Sequence, residues 1–152
     1  MGCDYDMSHI ESLLNHGRDI GIWASAGFWR APRETLQRCY NGIGPDAWSS
    51  RFRGVVTTLL EPFEIAALPH DFDFGTAPRS YFAFTVANIR FAVNAILEAF
   101  HRHPLCLPLD KTGREELRHL AAMIFFGLML AVLCQLFGWQ GYKNTKMEEY
   151  NA

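Results

Sequence analysis

Residues 66–74 read AALPHDFDF, and they place a histidine and an aspartate side by side in an otherwise apolar segment. Pro69 lies one residue before His70, so we expect a helix that is kinked or restarted here, because proline removes a backbone hydrogen bond. Two other stretches belong with this one. They are a glycine turn upstream, residues 40–44 (YNGIG), and an amphipathic helix downstream that carries Asn88. We interpret the three stretches as one site.

The composition indicates one folded domain. Of the 152 residues, 49% are hydrophobic and 14% are aromatic, which is enough apolar material for a single packed core. The formal net charge is −2 at pH 7 and the sequence shows no basic stripe, so we expect no nucleic-acid partner.

The cysteines and the first residues indicate a compartment. The four cysteines lie far apart with no C-x-x-C pair, which argues against a cysteine-type zinc site. Residues 1–6 lack a basic region followed by an apolar run, so no signal peptide is evident. We therefore expect free thiols in a cytoplasmic setting.

Helical spacing of apolar residues dominates the chain, and we predict a mainly α fold. The chain divides into an N-terminal arm with a short helix (residues 1–31), a helical domain (32–140) and a polar tail (141–152). The predicted helices cover residues 7–16, 32–40, 47–60, 63–74, 81–101 and 112–138. Ser80 is expected to cap the fifth of these, which can fold back on the fourth so that two antiparallel helices carry the site.

Residues 120–139 are long and apolar enough to be considered a membrane span. Gln135 interrupts the run, glycines lie within it and at its end, and its flanks carry no strong cationic bias. We favour a central core helix that two neighbours bury on nearly all sides, and we keep membrane contact as the alternative.

His70 and Asp71 offer two different chemistries. Adjacent side chains on a helix diverge by about 100°, so these two are not expected to hydrogen-bond each other well. Histidine can take a proton from water near neutral pH, and aspartate can bind a hard cation. One carboxylate is too few ligands for calcium, but the carbonyls of a turn such as residues 40–44 could complete the shell. Asp73 is a further carboxylate that we expect at the surface.

An orienting partner for His70 has to come from another element. Asn88 is the polar interruption of an apolar stripe that Phe84, Phe91 and Ala95 form. A buried amide needs a hydrogen-bond partner, and the imidazole of His70 can provide it if the two helices pack together.

Three motifs therefore follow one another: Y-x-G-x-G at residues 40–44, H-D-x-x-aromatic at residues 70–74, and an antiparallel helix with a polar residue. This order resembles phospholipase A2, in particular the compact bacterial and phage versions that lack the disulfide lattice of the secreted enzymes. Shorter phrases also look like that branch: NGIGP at 41–45, AALPHD at 66–71, NIRF at 88–91, AVL at 131–133 and LFGW at 136–139. The resemblance spans about residues 39–139.

The resemblance implies a calcium-dependent carboxylic ester hydrolase that acts on phospholipid or on a membrane surface. His70 would be the general base that activates water against the sn-2 ester, and Asn88 would stand where the family has the aspartate that holds this base. The calcium ligands would be Asp71 and the backbone carbonyls of Tyr40, Gly42 and Gly44. The backbone N–H of Gly42, together with the calcium ion, would stabilise the oxyanion.

Two positions depart from the family pattern and keep an alternative open. Asn88 carries no charge to stabilise an imidazolium, unlike the family's aspartate. Phe74 stands where the family has a tyrosine, so a supporting hydroxyl is missing. The alternative is a catalytically weakened or inactive helical binding or structural module of phage or bacterial origin, cytoplasmic or associated with a virion. A homo-oligomer is also left open.

Overall fold

The computed structural model describes residues 6–40, 60–105 and 111–144. Within these ranges every regular element is helical, which confirms the mainly α prediction there. In chain order the elements are α1 (Met7–Ile20), α2 (Ala26–Arg30), α3 (Arg33–Cys39), a 3₁₀ turn (Glu61–Phe63), α4 (Glu64–Thr76), α5 (Tyr81–Arg102), α6 (Lys111–Phe137) and α7 (Trp139–Asn144). The glycine turn after Tyr40 and the predicted helix over 47–60, except its last residue, lie outside the described residues.

Helix α4 forms the centre of the fold. Ten of its thirteen residues are buried, and Pro69 lies inside it. The helix continues without interruption past His70, so of the two expected effects of Pro69, a kink or a restart, the restart does not occur. Helix α5 packs along α4, and the shorter α1, α2 and α3 also pack against it. The histidine and aspartate pair therefore belongs to the core helix and not to a surface loop.

Helices α4 and α5 run antiparallel, as their contacts show: residues later in α4 contact residues earlier in α5. Near the connector the rings of Phe74 and Phe84 lie 5.7 Å apart, and further away His70 contacts Asn88. The side chain of Ser80 accepts a hydrogen bond from the N–H of Ala83 at 3.1 Å, which is the predicted N-terminal cap of α5. This hairpin brings the two predicted site helices together.

Helix α1 is longer than its sequence pattern predicted. It continues through Gly17 and ends at Gly21, whose φ of 71° is the left-handed conformation typical of a helix end. Gly17 is buried, and a Cβ added there would lie 2.8 Å from Cδ1 of Ile22 and 3.0 Å from Cδ1 of Ile65. This glycine does not break the helix, since its role is to let α1 approach α4 closely.

Helix α6 is not the buried core helix that we predicted. Only 17% of its most apolar stretch is buried, and of its 27 residues only four are buried, namely Gly113, Leu120, Gly127 and Ala131. It packs on α5 through one narrow face, while α4 takes the central position. The prediction was wrong because length and apolar content alone do not distinguish a helix inside the fold from one on its outside.

Candidate functional site

The structure brings His70 and Asn88 together across the α4–α5 hairpin. The Nε2 atom of His70 lies 3.0 Å from Oδ1 of Asn88, and both residues are buried, with exposures of 7% and 4%. The distance is that of a well-formed hydrogen bond. Asn88 is therefore the residue that orients the imidazole.

A third helix extends this contact into a network. The Nδ2 atom of Asn88 donates to Oε1 of Gln135 in α6 at 2.8 Å, and Nε2 of Gln135 reaches the hydroxyls of Tyr81 at 2.9 Å and Thr85 at 3.2 Å. Because the amide nitrogen of Asn88 is engaged with Gln135, its carbonyl oxygen faces His70. When Nε2 of His70 donates to this oxygen, the neutral ring has its lone pair on Nδ1, as a general base requires.

Gln135 is a site residue that the sequence reasoning missed. From the sequence alone, Gln135 is only a polar interruption of an apolar run. The signal was present, since Gln135 is the only amide side chain among residues 120–137. A polar group on a helix of this kind needs a buried partner, but only the packing of α6 on α5 shows that the partner is Asn88.

Asp71 lies at the other ring nitrogen of His70. Its Oδ1 atom is 3.3 Å from Nδ1, and because a carboxylate only accepts, this contact is a hydrogen bond only when Nδ1 carries a proton. The two adjacent side chains thus meet more closely than helical geometry led us to expect, although the contact is weak. The side chains of His70 and Asp71 are 9% and 17% exposed, respectively.

Aromatic rings enclose the imidazole. The ring of Phe74 lies 4.1 Å from the His70 ring, and that of Phe91 lies 5.5 Å away in an edge-on arrangement. Phe74 also contacts Tyr142, whose hydroxyl donates to the backbone oxygen of Pro78 at 2.6 Å. Burial raises the pKa of the Tyr142 hydroxyl, and the nearby Arg79 charge partly opposes that effect.

Cys134 also lies beside the site. It is a free thiol, and burial together with the negative charge of Asp71 raises its pKa to about 11. The thiol therefore stays protonated and unreactive at neutral pH.

Asp73 is not the surface carboxylate that we predicted. It is 4% exposed, and its Oδ2 atom pairs with Nη1 of Arg90 at 2.5 Å. The Arg90 guanidinium in turn stacks on the ring of Trp23, 5.4 Å from its centroid. Asp73 joins α4 to α5 and is engaged by this ion pair, which removes it as a cation ligand.

The cation half of the predicted site is only partly within the described residues. Asp71 and the buried Tyr40 are described, whereas Gly42 and Gly44 are not. Among the described residues no group of three or more histidine, cysteine, aspartate or glutamate side chains could hold a metal ion. A calcium site of the expected kind needs only one carboxylate plus backbone carbonyls, and the partly exposed Asp71 suits that donor set.

No protein-family model matches this chain, and neither the curated proteins nor the solved structures contain a significant match.

Proposed function

We propose that the protein is a calcium-dependent, phospholipase A2-like hydrolase that cleaves the sn-2 ester of phospholipids. The observation that carries the proposal is the 3.0 Å contact between Nε2 of His70 and Oδ1 of Asn88. It holds a buried imidazole between two antiparallel helices and leaves Nδ1, next to Asp71, as the ring nitrogen that does not contact Asn88. This is the arrangement that general-base activation of a water molecule needs.

In the proposed reaction Nδ1 of His70 removes a proton from a water molecule as its oxygen attacks the ester carbonyl carbon. A tetrahedral intermediate forms, with the negative charge on the former carbonyl oxygen. His70 then returns the proton to the leaving glycerol oxygen as the carbon–oxygen bond breaks. The products are a fatty acid and a lysophospholipid, and His70 ends in its starting state. Asn88 holds the ring through Nε2 throughout, so the protonated base needs no reorientation.

Calcium, when bound, would supply positive charge against the phosphate and the developing oxyanion. Asp71 would hold it through its carboxylate, and Tyr40 through its backbone carbonyl. Gly42 and Gly44 keep their predicted roles as carbonyl ligands, with the Gly42 N–H as oxyanion donor, although both lie outside the described residues.

Calcium removal tests the cation half of the proposal. Fatty-acid release from phospholipid vesicles should stop in excess chelator and return when calcium is added back. Asp71→Asn should lower the rate by at least about 10- to 100-fold, because even the outer partners of a metal ligand contribute that much. Asp19→Asn, at an exposed position of α1, is the matched control and should leave the rate unchanged. Hydrolysis that continues at full rate in chelator would contradict the proposed calcium site.

A second candidate is a helical binding or structural module that keeps this scaffold without hydrolysing lipid. Two observations favour it. Asn88 and Gln135 form a neutral amide network that offers no charge to stabilise an imidazolium, and the Phe74 ring covers the imidazole at 4.1 Å without a hydroxyl. This candidate predicts that the purified protein releases no fatty acid at any calcium concentration.

A further inference from the structure

The outward side of α6 is covered with large apolar side chains that remain exposed. We call this surface the apolar face of α6. Its members are between 37% and 75% exposed, and they are Phe125, Phe126, Leu128, Met129, Val132, Leu133, Leu136 and Phe137. Contiguous apolar patches of this size on a protein surface mark an interaction site, because exposing them to water is unfavourable.

The distribution of polar groups on α6 points to hydrocarbon as the partner. No charged side chain occurs in residues 120–142. The part of this stretch within α6, residues 120–137, is about 27 Å long at 1.5 Å per residue, so the uncharged surface covers the C-terminal two thirds of the helix. Gln135, its main polar group, points inward to Asn88 and away from the outward side. The charged residues of α6 lie in its first turns, where Lys111, Arg114, Glu115 and Arg118 are exposed, and none lies among the members of the apolar face.

The inner side of α6 has small residues that let it pack closely on α5. Gly127 and Ala131 are buried against α5, and a Cβ added to Gly127 would lie 2.7 Å from Cβ of Ala95. Small residues four apart let two helix backbones approach each other closely, so this side of α6 is occupied by protein and the outward side is left exposed. An apolar cavity of about 370 Å³ adjoins the same helix, and Phe126 and Met129 of the apolar face line it.

The opposite side of the protein carries exposed charged residues. Helix α6 packs on α5, α5 on α4, and α4 on α1 and α3. Exposed charged residues lie along α1, for example Glu11, Arg18 and Asp19. If α6 crossed the bilayer with these layers beside it, such charges would enter hydrocarbon at a large cost for each. An orientation with α6 parallel to the membrane plane keeps α1 in water.

We infer that the apolar face of α6 inserts into the hydrocarbon of a lipid bilayer, with α6 in the plane of the membrane and α1 on its water side. The inference does not depend on the proposed hydrolase activity, because it concerns binding alone. Its tests therefore fail or succeed separately from those of the enzyme proposal.

Flotation with neutral phosphatidylcholine vesicles tests the inference on the full chain. The parent protein should float with the vesicles at low and at high salt. The variant F125S/V132S/L136S should lose at least about tenfold in vesicle partitioning, because each side chain contributes through its buried apolar area. These positions are 64%, 55% and 66% exposed, so serine removes little from the core, and circular dichroism should show an unchanged helix content. The matched control F125L/V132I/L136M keeps the apolar surface and should float like the parent.

Three outcomes would overturn the inference. The serine variant could float as well as the parent, or the parent could bind only anionic vesicles and detach in high salt. Sedimentation could instead show a dimer that the serine variant converts to a monomer while neither protein floats, which would make a second copy the occupant of the apolar face. Polarised infrared spectroscopy of supported bilayers should find the long helices parallel to the membrane, and a perpendicular orientation would overturn the in-plane arrangement.

Discussion

Residues on two other helices favour one tautomer of His70. Asn88 presents its oxygen to Nε2 because Gln135 occupies its nitrogen, and Gln135 is itself engaged by Tyr81 and Thr85. A carboxylate at position 88 would fix the same proton through charge. The amide pair fixes it through geometry alone, which supports tautomer control but gives no charge stabilisation to an imidazolium.

A double-mutant cycle measures this coupling. Asn88→Leu and Gln135→Met should each lower the free energy of unfolding by about 1–3 kcal/mol. The first leaves Nε2 of the buried His70 without its partner, and the second leaves Nδ2 of the buried Asn88 without its acceptor. The double variant should lose less than the sum, with a coupling energy of about 0.5–3 kcal/mol in urea unfolding. Gln140→Met, at an exposed glutamine of α7, is the control and should change stability by less than about 0.5 kcal/mol. Strictly additive losses would show that the two amides do not act together.

At the scale of elements, the sequence was most informative where local signals agreed. Helix α5 was predicted within about one residue, because the Ser80 cap and the apolar spacing both mark it. Helix α1 was predicted too short, because glycine has a low helix propensity, whereas at Gly17 tertiary packing requires its small size within the helix. The location of α6 was wrong because its apolar pattern is nearly uniform around the helix and therefore does not indicate which side is buried.

The close contact between α5 and α6 can be tested at Gly127. Replacing a helical glycine by alanine normally stabilises by up to about 1 kcal/mol. Gly127→Ala should instead destabilise by about 1–3 kcal/mol, since its Cβ would lie 2.7 Å from the rigid Cβ of Ala95 and 3.1 Å from Phe63. Gly141→Ala is the matched control in α7, where nothing lies within 4 Å of the added Cβ, and it should be neutral or stabilising. Equal thermal stability of the two variants would contradict the described packing.

At the scale of the whole molecule, buried polar residues link the packed helices through hydrogen bonds and ion pairs. Asn94 of α5 bonds both backbone groups of Trp23, with its oxygen 2.7 Å from the Trp23 nitrogen and its nitrogen 3.0 Å from the Trp23 oxygen. Glu98 is 1% exposed and lies 2.6 Å from Nε2 of His16 in α1. None of these interactions was predictable from sequence, because the two partners are about seventy or more residues apart. The sequence did predict the His70–Asn88 contact, since a short connector makes those two helices neighbours.

The ion pairs that Glu98 forms with His16 and Arg102 should contribute measurably to stability. Glu98→Leu leaves His16 and Arg102 without their carboxylate, and we expect a loss of about 1–3 kcal/mol because those partners are partly exposed. Glu116→Leu removes the carboxylate that pairs with His103 at 2.7 Å on a more exposed surface, and it should lose at most about 1 kcal/mol. Chemical denaturation measures the free energy of unfolding of both variants. A larger loss for Glu116→Leu than for Glu98→Leu would contradict the importance of the buried carboxylate.

The central claim is that His70 acts as a general base, and ester hydrolysis by a His70→Asn variant tests it most directly. A phospholipid with different acyl chains at its two positions should lose the sn-2 chain in the presence of calcium. His70→Asn should reduce that rate by roughly 10²–10⁴-fold, the usual contribution of a positioned base. His103→Asn, a histidine paired with Glu116 away from the site, should keep the parent rate. Release of the sn-2 chain by the His70→Asn variant at the parent rate, or no release by the parent protein, would contradict the account.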